Sequence, residues 1–210
     1  MEKRNKIYLF VGIYFALLGL AYLVHMFRTE SYVGLFWSCN IAPILFSIGF
    51  LTENMRLIKG TINYIFLPNL VFMICTIIYF TTSISLVRID IAFDTIPNGI
   101  MGVWIHLLSA NVALFYTRKI KPDKHSLIYA ATIFLIIFIF TLILAPESQN
   151  VNFLQSTKPI LGFDIPFFTI LWPLFVFFVL IIPTYLSQIA LAKKKSSLFR
   201  LPQRDKIFKE

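Results

Sequence analysis

The chain alternates between long apolar runs and short polar segments rich in Lys and Arg. Six runs contain no Asp, Glu, Lys or Arg, and each is close to the roughly 20 residues that a helix needs to cross a hydrocarbon core. They cover residues 7–27, 33–51, 62–82, 99–117, 127–145 and 165–192. The pattern predicts an all-α polytopic membrane protein, built as a bundle of six transmembrane helices.

Composition supports this class and excludes several others. Hydrophobic residues make up 58% of the chain and charged residues 14%, whereas a soluble domain has about 45–50% apolar and about 25% charged residues. The net charge is +9, but a nucleic-acid binder needs its Lys and Arg on one exposed face. Here these residues lie in clusters between apolar runs, so we expect membrane lipids as partners and no nucleic acid.

The distribution of Lys and Arg predicts the topology. If all six runs cross the membrane, sixteen of the 19 Lys and Arg fall on the side that holds both termini, and Arg28, Arg88 and Lys158 fall on the other side. Cytoplasmic segments carry the excess of positive charge, so both termini are expected to be cytoplasmic. We therefore expect a multi-pass protein of the cell (inner or plasma) membrane.

This topology gives two regions. Residues 1–192 are predicted to form the six-helix transmembrane domain, and residues 193–210 a basic cytoplasmic tail. Basic segments next to a membrane are attracted by anionic lipids. We expect the tail to lie against the headgroups of the inner leaflet.

Polar side chains inside the second and fourth runs are the candidate functional residues. The second run, "GLFWSCNIAPILFSIGF", contains Ser38, Cys39 and Asn40, and the fourth contains His106. Both helices enter from the outside, and a rise of 1.5 Å per residue places Cys39 and His106 roughly 10 Å below the outer boundary. Because polar groups facing lipid are unfavourable, these side chains should face a pocket inside the bundle.

Other polar residues are expected to line the same pocket. Cys75 and Thr76 on the third helix, His25 on the first and Ser109 on the fourth are predicted at or near this level. Small residues at positions 102 and 113 share a face with His106, and such residues allow another helix to approach closely.

A Cys or Ser beside a His is the minimum for nucleophilic acyl transfer. The imidazole takes the proton and the sulfur or oxygen attacks a carbonyl carbon, while Asn40 would stabilise an oxyanion or orient the ring. Two other interpretations stay open. In the first, the polar side chains are interhelical hydrogen-bond partners. In the second, Cys39 is a small apolar residue that fills space in the bundle.

Other chemistries find less support in the sequence. His25, Cys39, Cys75 and His106 are possible metal ligands, but no pair has the i, i+3 or i, i+4 spacing of a helical metal site, so no metal is predicted. A disulfide between Cys39 and Cys75 requires that their helices pack directly. The six runs contain no Lys for a Schiff base and no carboxylate for a proton relay. A phosphate loop and a glycine-rich nucleotide site are also absent from the sequence, and we expect no cofactor.

The second, third and fourth runs carry a family resemblance. The stretches "FWSCNIAPILFSIGF", "NYIFLPNLVF" and "GVWIHLLSANVALFY" resemble small six-span membrane proteins of the YwaF type. A related eukaryotic member is regarded as a cysteine-dependent phospholipid acyltransferase. The layout is also similar to that of the androgen-induced membrane hydrolases, which pair a threonine on an early helix with a later histidine to cleave fatty acid esters.

The resemblance implies a nucleophile at Cys39 or Ser38 and a catalytic histidine at His106. The chain departs from the androgen-induced type because it has Ser38-Cys39 where that type has threonine. The leading functional hypothesis is an intramembrane lipid acyl hydrolase or acyltransferase. The alternative is a non-enzymatic binding or transport subunit for a small apolar or neutral solute, for which a partner subunit or a homo-oligomer remains open.

Overall fold

The computed structural model describes residues 6–28, 38–84, 96–146 and 165–193. These residues form six helical segments, and no strand occurs among them. The bounds are as follows: α1 is Lys6–Arg28, α2 is Ser38–Leu51, α3 is Met55–Thr82 and α5 is His125–Leu144. α4 covers residues 96–117, with α-helical Ile96–Val103, π-helical Trp104–Ser109 and α-helical Ala110–Thr117. α6 covers residues 168–193, with π-helical Val176–Ile181 between Phe168–Phe175 and Ile182–Lys193.

Five of these helices are long and apolar enough to cross a membrane: Lys6–Arg28, Met55–Thr82, Gly99–Thr117, His125–Leu144 and Phe168–Ala192. Large apolar side chains on several of them point away from the protein, and Phe27 and Ile143 are more than 70% exposed. A soluble protein rarely exposes so much apolar surface. The structure therefore has the features of a helical membrane protein, as the sequence predicts.

The second predicted span and the tail are described only in part. α2 contains 14 residues, and residues 33–37 of the predicted span lie outside the described residues. The same is true of residues 194–210, which form nearly all of the predicted basic tail.

A three-residue connection joins α2 to α3. Glu53 has a positive φ of 55°, and the Asn54 side chain accepts a hydrogen bond from the Leu57 backbone N–H at 3.0 Å. This side-chain bond satisfies one of the donors that a helix N-terminus leaves without a partner. Gly49 lets the two helices pack closely, because a Cβ there would lie 2.6 Å from Ile58 Cγ1. α2 and α3 therefore form a tight antiparallel hairpin.

Lys59 corrects one expectation from the sequence. The apolar run that starts at residue 62 leaves Arg56 and Lys59 in a connection, but α3 begins at Met55 and Lys59 is only 1% exposed. Its Nζ donates a hydrogen bond to the backbone oxygen of Thr117, the last residue of α4, at 2.7 Å. A helix C-terminus carries partial negative charge, which favours a cation there. Lys59 thus ties the beginning of α3 to the end of α4.

Further buried side chains extend this contact to α5 and α6. The Asn63 amide donates to Ser126 Oγ at 3.3 Å, and the Gln188 amide donates to Asn63 Oδ1 at 2.5 Å. We call Lys59, Asn63, Ser126 and Gln188 the lower polar cluster. It holds four helices together at one end of the bundle.

Asp123 organises the connection between α4 and α5, outside the membrane-spanning helices. Its Oδ1 accepts the Ser126 N–H at 3.0 Å, and its Oδ2 accepts the Arg56 Nε–H at 2.8 Å. Partial burial raises the pKa of the carboxyl, but the bonds from Arg56 and Ser126 and the Arg56 charge outweigh it, so the pKa lies below its usual value. The beginnings of α3 and α5 are therefore joined on the surface as well.

Small residues allow helices to pack closely, but at Gly60 rather than at Gly102, where the sequence predicts a close approach. The nearest atom to a Cβ built at Gly102 would be Phe72 Cζ at 3.9 Å, so among the described residues no backbone of another helix lies within 4 Å of that position. At Gly60 the added Cβ would lie 2.6 Å from Tyr129 Cβ and 3.1 Å from the backbone nitrogen of Ala130. Gly60 is therefore the position that allows α3 and α5 to pack in contact.

Gly60→Ala is expected to destabilise the bundle by about 1–3 kcal/mol, because the new methyl group forces α3 and α5 apart. Gly102→Ala is the matched control, since its Cβ has room and alanine favours a helix over glycine by about 1 kcal/mol. Thermal unfolding in detergent checks this pair. Equal melting temperatures for the two variants would contradict the packing described for Gly60.

Candidate functional site

The α2–α3 hairpin brings Cys39 and Asn69 to the same level. Cys39 lies twelve residues before the end of α2, and Asn69 lies fourteen residues after the start of α3. With a rise of 1.5 Å per residue, both positions are about 20 Å from the hairpin connection. The two side chains can therefore meet across the same layer of the bundle.

The Lys59–Thr117 hydrogen bond brings His106 to this level from α4. Asn69 lies ten residues beyond Lys59 on α3, and His106 lies eleven residues before Thr117 on α4. The axial distances are about 15 Å and 16 Å. Because α3 and α4 are tied at one end, His106 is placed opposite Asn69.

Cys39, His106 and Asn69 form a linear arrangement of side chains. Cys39 Sγ lies 3.5 Å from His106 Nε2, and His106 Nδ1 lies 3.1 Å from Asn69 Oδ1. Because the amide oxygen can only accept, Nδ1 carries the proton and donates a hydrogen bond to Asn69 Oδ1. Nε2 then presents its lone pair to the Cys39 thiol. We call this set the Cys–His–Asn group.

The imidazole ring is held on its face as well as at its edge. The Phe72 ring stacks on it with a centroid distance of 3.8 Å and an angle of 20°. Phe72 lies three residues after Asn69, so both residues project from one face of α3. The stacking and the hydrogen bond together fix the direction in which Nε2 points.

His106 lies in the π-helical turn Trp104–Ser109 of α4. Such turns are uncommon and often occur at functional sites, because the wider turn changes the direction of its side chains. Ser109 closes the turn with a hydrogen bond from its Oγ to the backbone oxygen of Ile105. Its hydroxyl therefore supports the helix that carries His106.

The thiol has a second polar neighbour on its own helix. Cys39 Sγ lies 3.8 Å from Asn40 Oδ1, and the Asn40 amide nitrogen donates to the Tyr22 hydroxyl on α1. Tyr22, Cys39 and Ile105 form a small buried cluster, and Cys39 is 9% exposed. Asn69 holds the ring, whereas the sequence suggested Asn40 for this role or for an oxyanion site.

The remaining predicted residues differ in where they lie. Cys75 is buried on α3, and Cys39 and Cys75 are both free thiols, so they form no disulfide. The Thr76 hydroxyl donates to the Phe72 backbone oxygen at 2.8 Å, and His25 is half-buried in the last turn of α1. The Ser38 side chain lies outside the described part of the structure.

Two cavities flank the site. The larger has a volume of about 200 Å³ and lies between α1, α2 and α5, with Tyr22 and Asn40 in its lining. The smaller has a volume of about 60 Å³ and is lined in part by His106 and Asn69. The Asn69 amide nitrogen is buried and has no hydrogen-bond partner in the described part of the protein.

The Cys–His–Asn group has the connectivity of a nucleophile, a general base and an orienting residue. Papain-like proteases use the same three residue types in these roles, and triads of this kind recur on unrelated folds. The described residues contain no group of three or more His, Cys, Asp or Glu that could hold a metal ion. Comparisons of the chain with protein-family models, curated proteins and solved structures find no match.

In Asn69→Leu, the neutral His106 ring is expected to populate both tautomers, because the acceptor for Nδ1–H is removed. In the unmodified protein, ¹⁵N NMR of labelled histidine should show a protonated Nδ1 and an unprotonated Nε2 for His106 at pH 8. The variant should show both tautomers. Thr81→Val is the control on α3, since the Thr81 hydroxyl donates to its own helix at Ile77 and its loss should leave the spectrum unchanged. An unchanged spectrum in Asn69→Leu would contradict the arrangement.

Proposed function

We propose that the protein is an intramembrane acyl hydrolase or acyltransferase that acts on ester lipids. One observation carries the proposal. The Cys39 thiol lies 3.5 Å from an imidazole nitrogen whose opposite nitrogen is held by Asn69, inside a helical bundle with an apolar outer surface. Cys39 is the nucleophile, because its sulfur faces the ring.

The first step transfers the acyl group to sulfur. His106 Nε2 takes the thiol proton, and the sulfur attacks the ester carbonyl carbon. The new S–C bond forms as the C–O ester bond breaks, and the proton on Nε2 passes to the leaving alcohol oxygen. Because the proton moves between two adjacent groups, no isolated charge is created in the apolar interior. The product is a Cys39 thioester and a free alcohol.

The second step returns the enzyme to its starting state. Water or an acceptor alcohol gives its proton to Nε2 and attacks the thioester carbonyl, and the S–C bond breaks as the proton returns to sulfur. The smaller cavity beside His106 has about the volume of two water molecules in the liquid. Hydrolysis uses this space for water, while acyl transfer uses an alcohol that enters from the membrane.

The substrate reaches the site from the outer half of the membrane. In this proposal six helices cross the membrane with both termini cytoplasmic, as the excess of Lys and Arg on that side supports. The lower polar cluster then lies toward the cytoplasmic side, and the Cys–His–Asn group lies nearer the outer leaflet. Ester carbonyls of outer-leaflet lipids come closest to that level.

The resemblance to YwaF-type proteins supports the same assignment. The stretches that carry it contain Cys39, His106 and also Asn69, in "NYIFLPNLVF". Ser38 remains the alternative nucleophile that the sequence offers. Cys39 is preferred because the structure describes its sulfur beside the imidazole.

An acylating probe on Cys39 tests the proposal. Membranes containing the protein are treated with an activated fatty acyl ester, and the adduct is located by mass spectrometry. We expect acylation at Cys39, with a rate that falls by at least about 100-fold in His106→Ala, because general-base catalysis contributes about 10²–10⁴-fold. Cys75→Ala, which removes the other buried thiol, should leave the rate unchanged.

Two results would contradict the enzyme assignment. One is a folded protein that forms no adduct at Cys39, and the other is an adduct whose rate is the same in His106→Ala. Either result would favour the alternative, a binding or transport subunit for a small apolar or neutral solute. A fluorophosphonate adduct on Ser38 would instead support acyl transfer with Ser38, rather than Cys39, as the nucleophile.

A further inference from the structure

The larger cavity beside the site is a groove between α1, α2 and α5. Its volume is about 200 Å³. Its walls are aliphatic and aromatic, with Leu23 from α1, Ile41 and Ile44 from α2, and Ile136 and Phe140 from α5. We call it the lateral groove. A surface of this composition binds hydrocarbon in preference to a polar solute.

The lateral groove opens sideways rather than toward the helix ends. Ile136 and Phe140 lie one turn apart on α5 and are 50% and 53% exposed. Residues that line the groove and also face outward place its opening on the outer surface of the bundle. In a membrane protein this surface contacts lipid chains, so a chain can enter directly from the bilayer.

The groove is next to the thiol through Asn40, which follows Cys39 on α2. Tyr22 and Asn40 are the polar residues in its lining, and the Asn40 amide donates to the Tyr22 hydroxyl. Asn40 Oδ1 lies 3.8 Å from Cys39 Sγ. A chain lying in the groove therefore meets apolar walls and, at Asn40, a polar side chain that also contacts the nucleophile. This is the polarity of a fatty acyl ester, with a hydrocarbon chain and a carbonyl at one end.

We propose that the lateral groove binds the acyl chain of the lipid whose carbonyl is attacked by Cys39. This inference rests on the proposed acyl chemistry and adds the part of the substrate that the protein recognises. A groove of about 200 Å³ takes only part of a long chain, and the rest of the chain lies in the bilayer.

Ile136→Trp fills the groove and tests the proposal. Ile136 is half exposed, so the larger side chain does not disturb a buried core. Leu135→Trp is the matched control, because Leu135 is the next residue on α5, is 47% exposed and does not line the groove. Acylation of Cys39 is measured for both variants with activated esters of two-carbon, eight-carbon and sixteen-carbon acids.

For each ester, the acylation rate of Ile136→Trp is divided by that of Leu135→Trp. This ratio removes differences in membrane partitioning among the esters. We expect Ile136→Trp to react about tenfold more slowly than Leu135→Trp with the two longer esters, because a filled pocket discriminates by about this factor or more. With the two-carbon ester the two variants should agree within about twofold, since it does not reach the filled region. Equal ratios for all three esters would overturn the groove proposal and leave the acyl chemistry standing.

A binding measurement separates the groove from the chemistry. In Cys39→Ala, a fatty acid with a photoactivatable group near its middle should crosslink to groove residues, and the additional change Ile136→Trp should remove these crosslinks while Leu135→Trp keeps them. Crosslinks spread equally over the exposed faces of the bundle would overturn the proposal. Crosslinks in the groove without acylation of Cys39 in the unmodified protein would support chain binding and overturn the proposed reaction.

Discussion

Polar side chains inside an apolar bundle have to find their hydrogen-bond partners within the protein, and this constraint determines where the helices lie relative to one another. The clearest case is Lys59, whose buried Nζ donates to the last backbone oxygen of α4. That bond fixes one end of α4 against α3. The hairpin between α2 and α3 fixes a third helix at the same end. The level of every residue further along these helices then follows from the helical rise, so the position of His106 depends on a contact about 15 Å away.

The candidate site satisfies the same constraint in a different way. At the lower polar cluster, the amides and the hydroxyl mostly bond one another and hold four helices together. In the Cys–His–Asn group, the Cys39 thiol contacts His106 Nε2, and the opposite nitrogen of the ring donates a hydrogen bond to Asn69 Oδ1. Both nitrogens of the buried ring thereby have partners within the protein. The stacking of Phe72 on His106 adds a further restraint to a ring that already has two polar partners.

The helical membrane class follows from the sequence because it rests on local residue type. The helical rise also predicts that Cys39 and His106 share one level, and their side chains lie 3.5 Å apart. Asn69 was missed for a physical reason. The depth of residues on the third helix is counted from its outer end. However, α3 has 28 residues and is about 42 Å long, which exceeds the hydrocarbon core, so its last residue does not mark the membrane boundary. The count therefore points to Cys75 and Thr76, which lie six and seven residues beyond Asn69. The position of Lys59 differs from the prediction for a related reason. An uncharged run can start only after the last charged residue, whereas α3 starts at Met55 and includes the buried Lys59.

The π-helical turn around His106 has a consequence for how such a site arises. Each residue added to or removed from a helix rotates everything beyond it by about 100°. A single-residue insertion or deletion between His106 and Ala110 therefore turns His106 toward or away from Cys39, while α4 between Ala110 and Thr117 keeps its contact with Lys59. One codon thus separates a bundle in which the imidazole faces the thiol from one in which it does not, with no change in the helices that hold the bundle together.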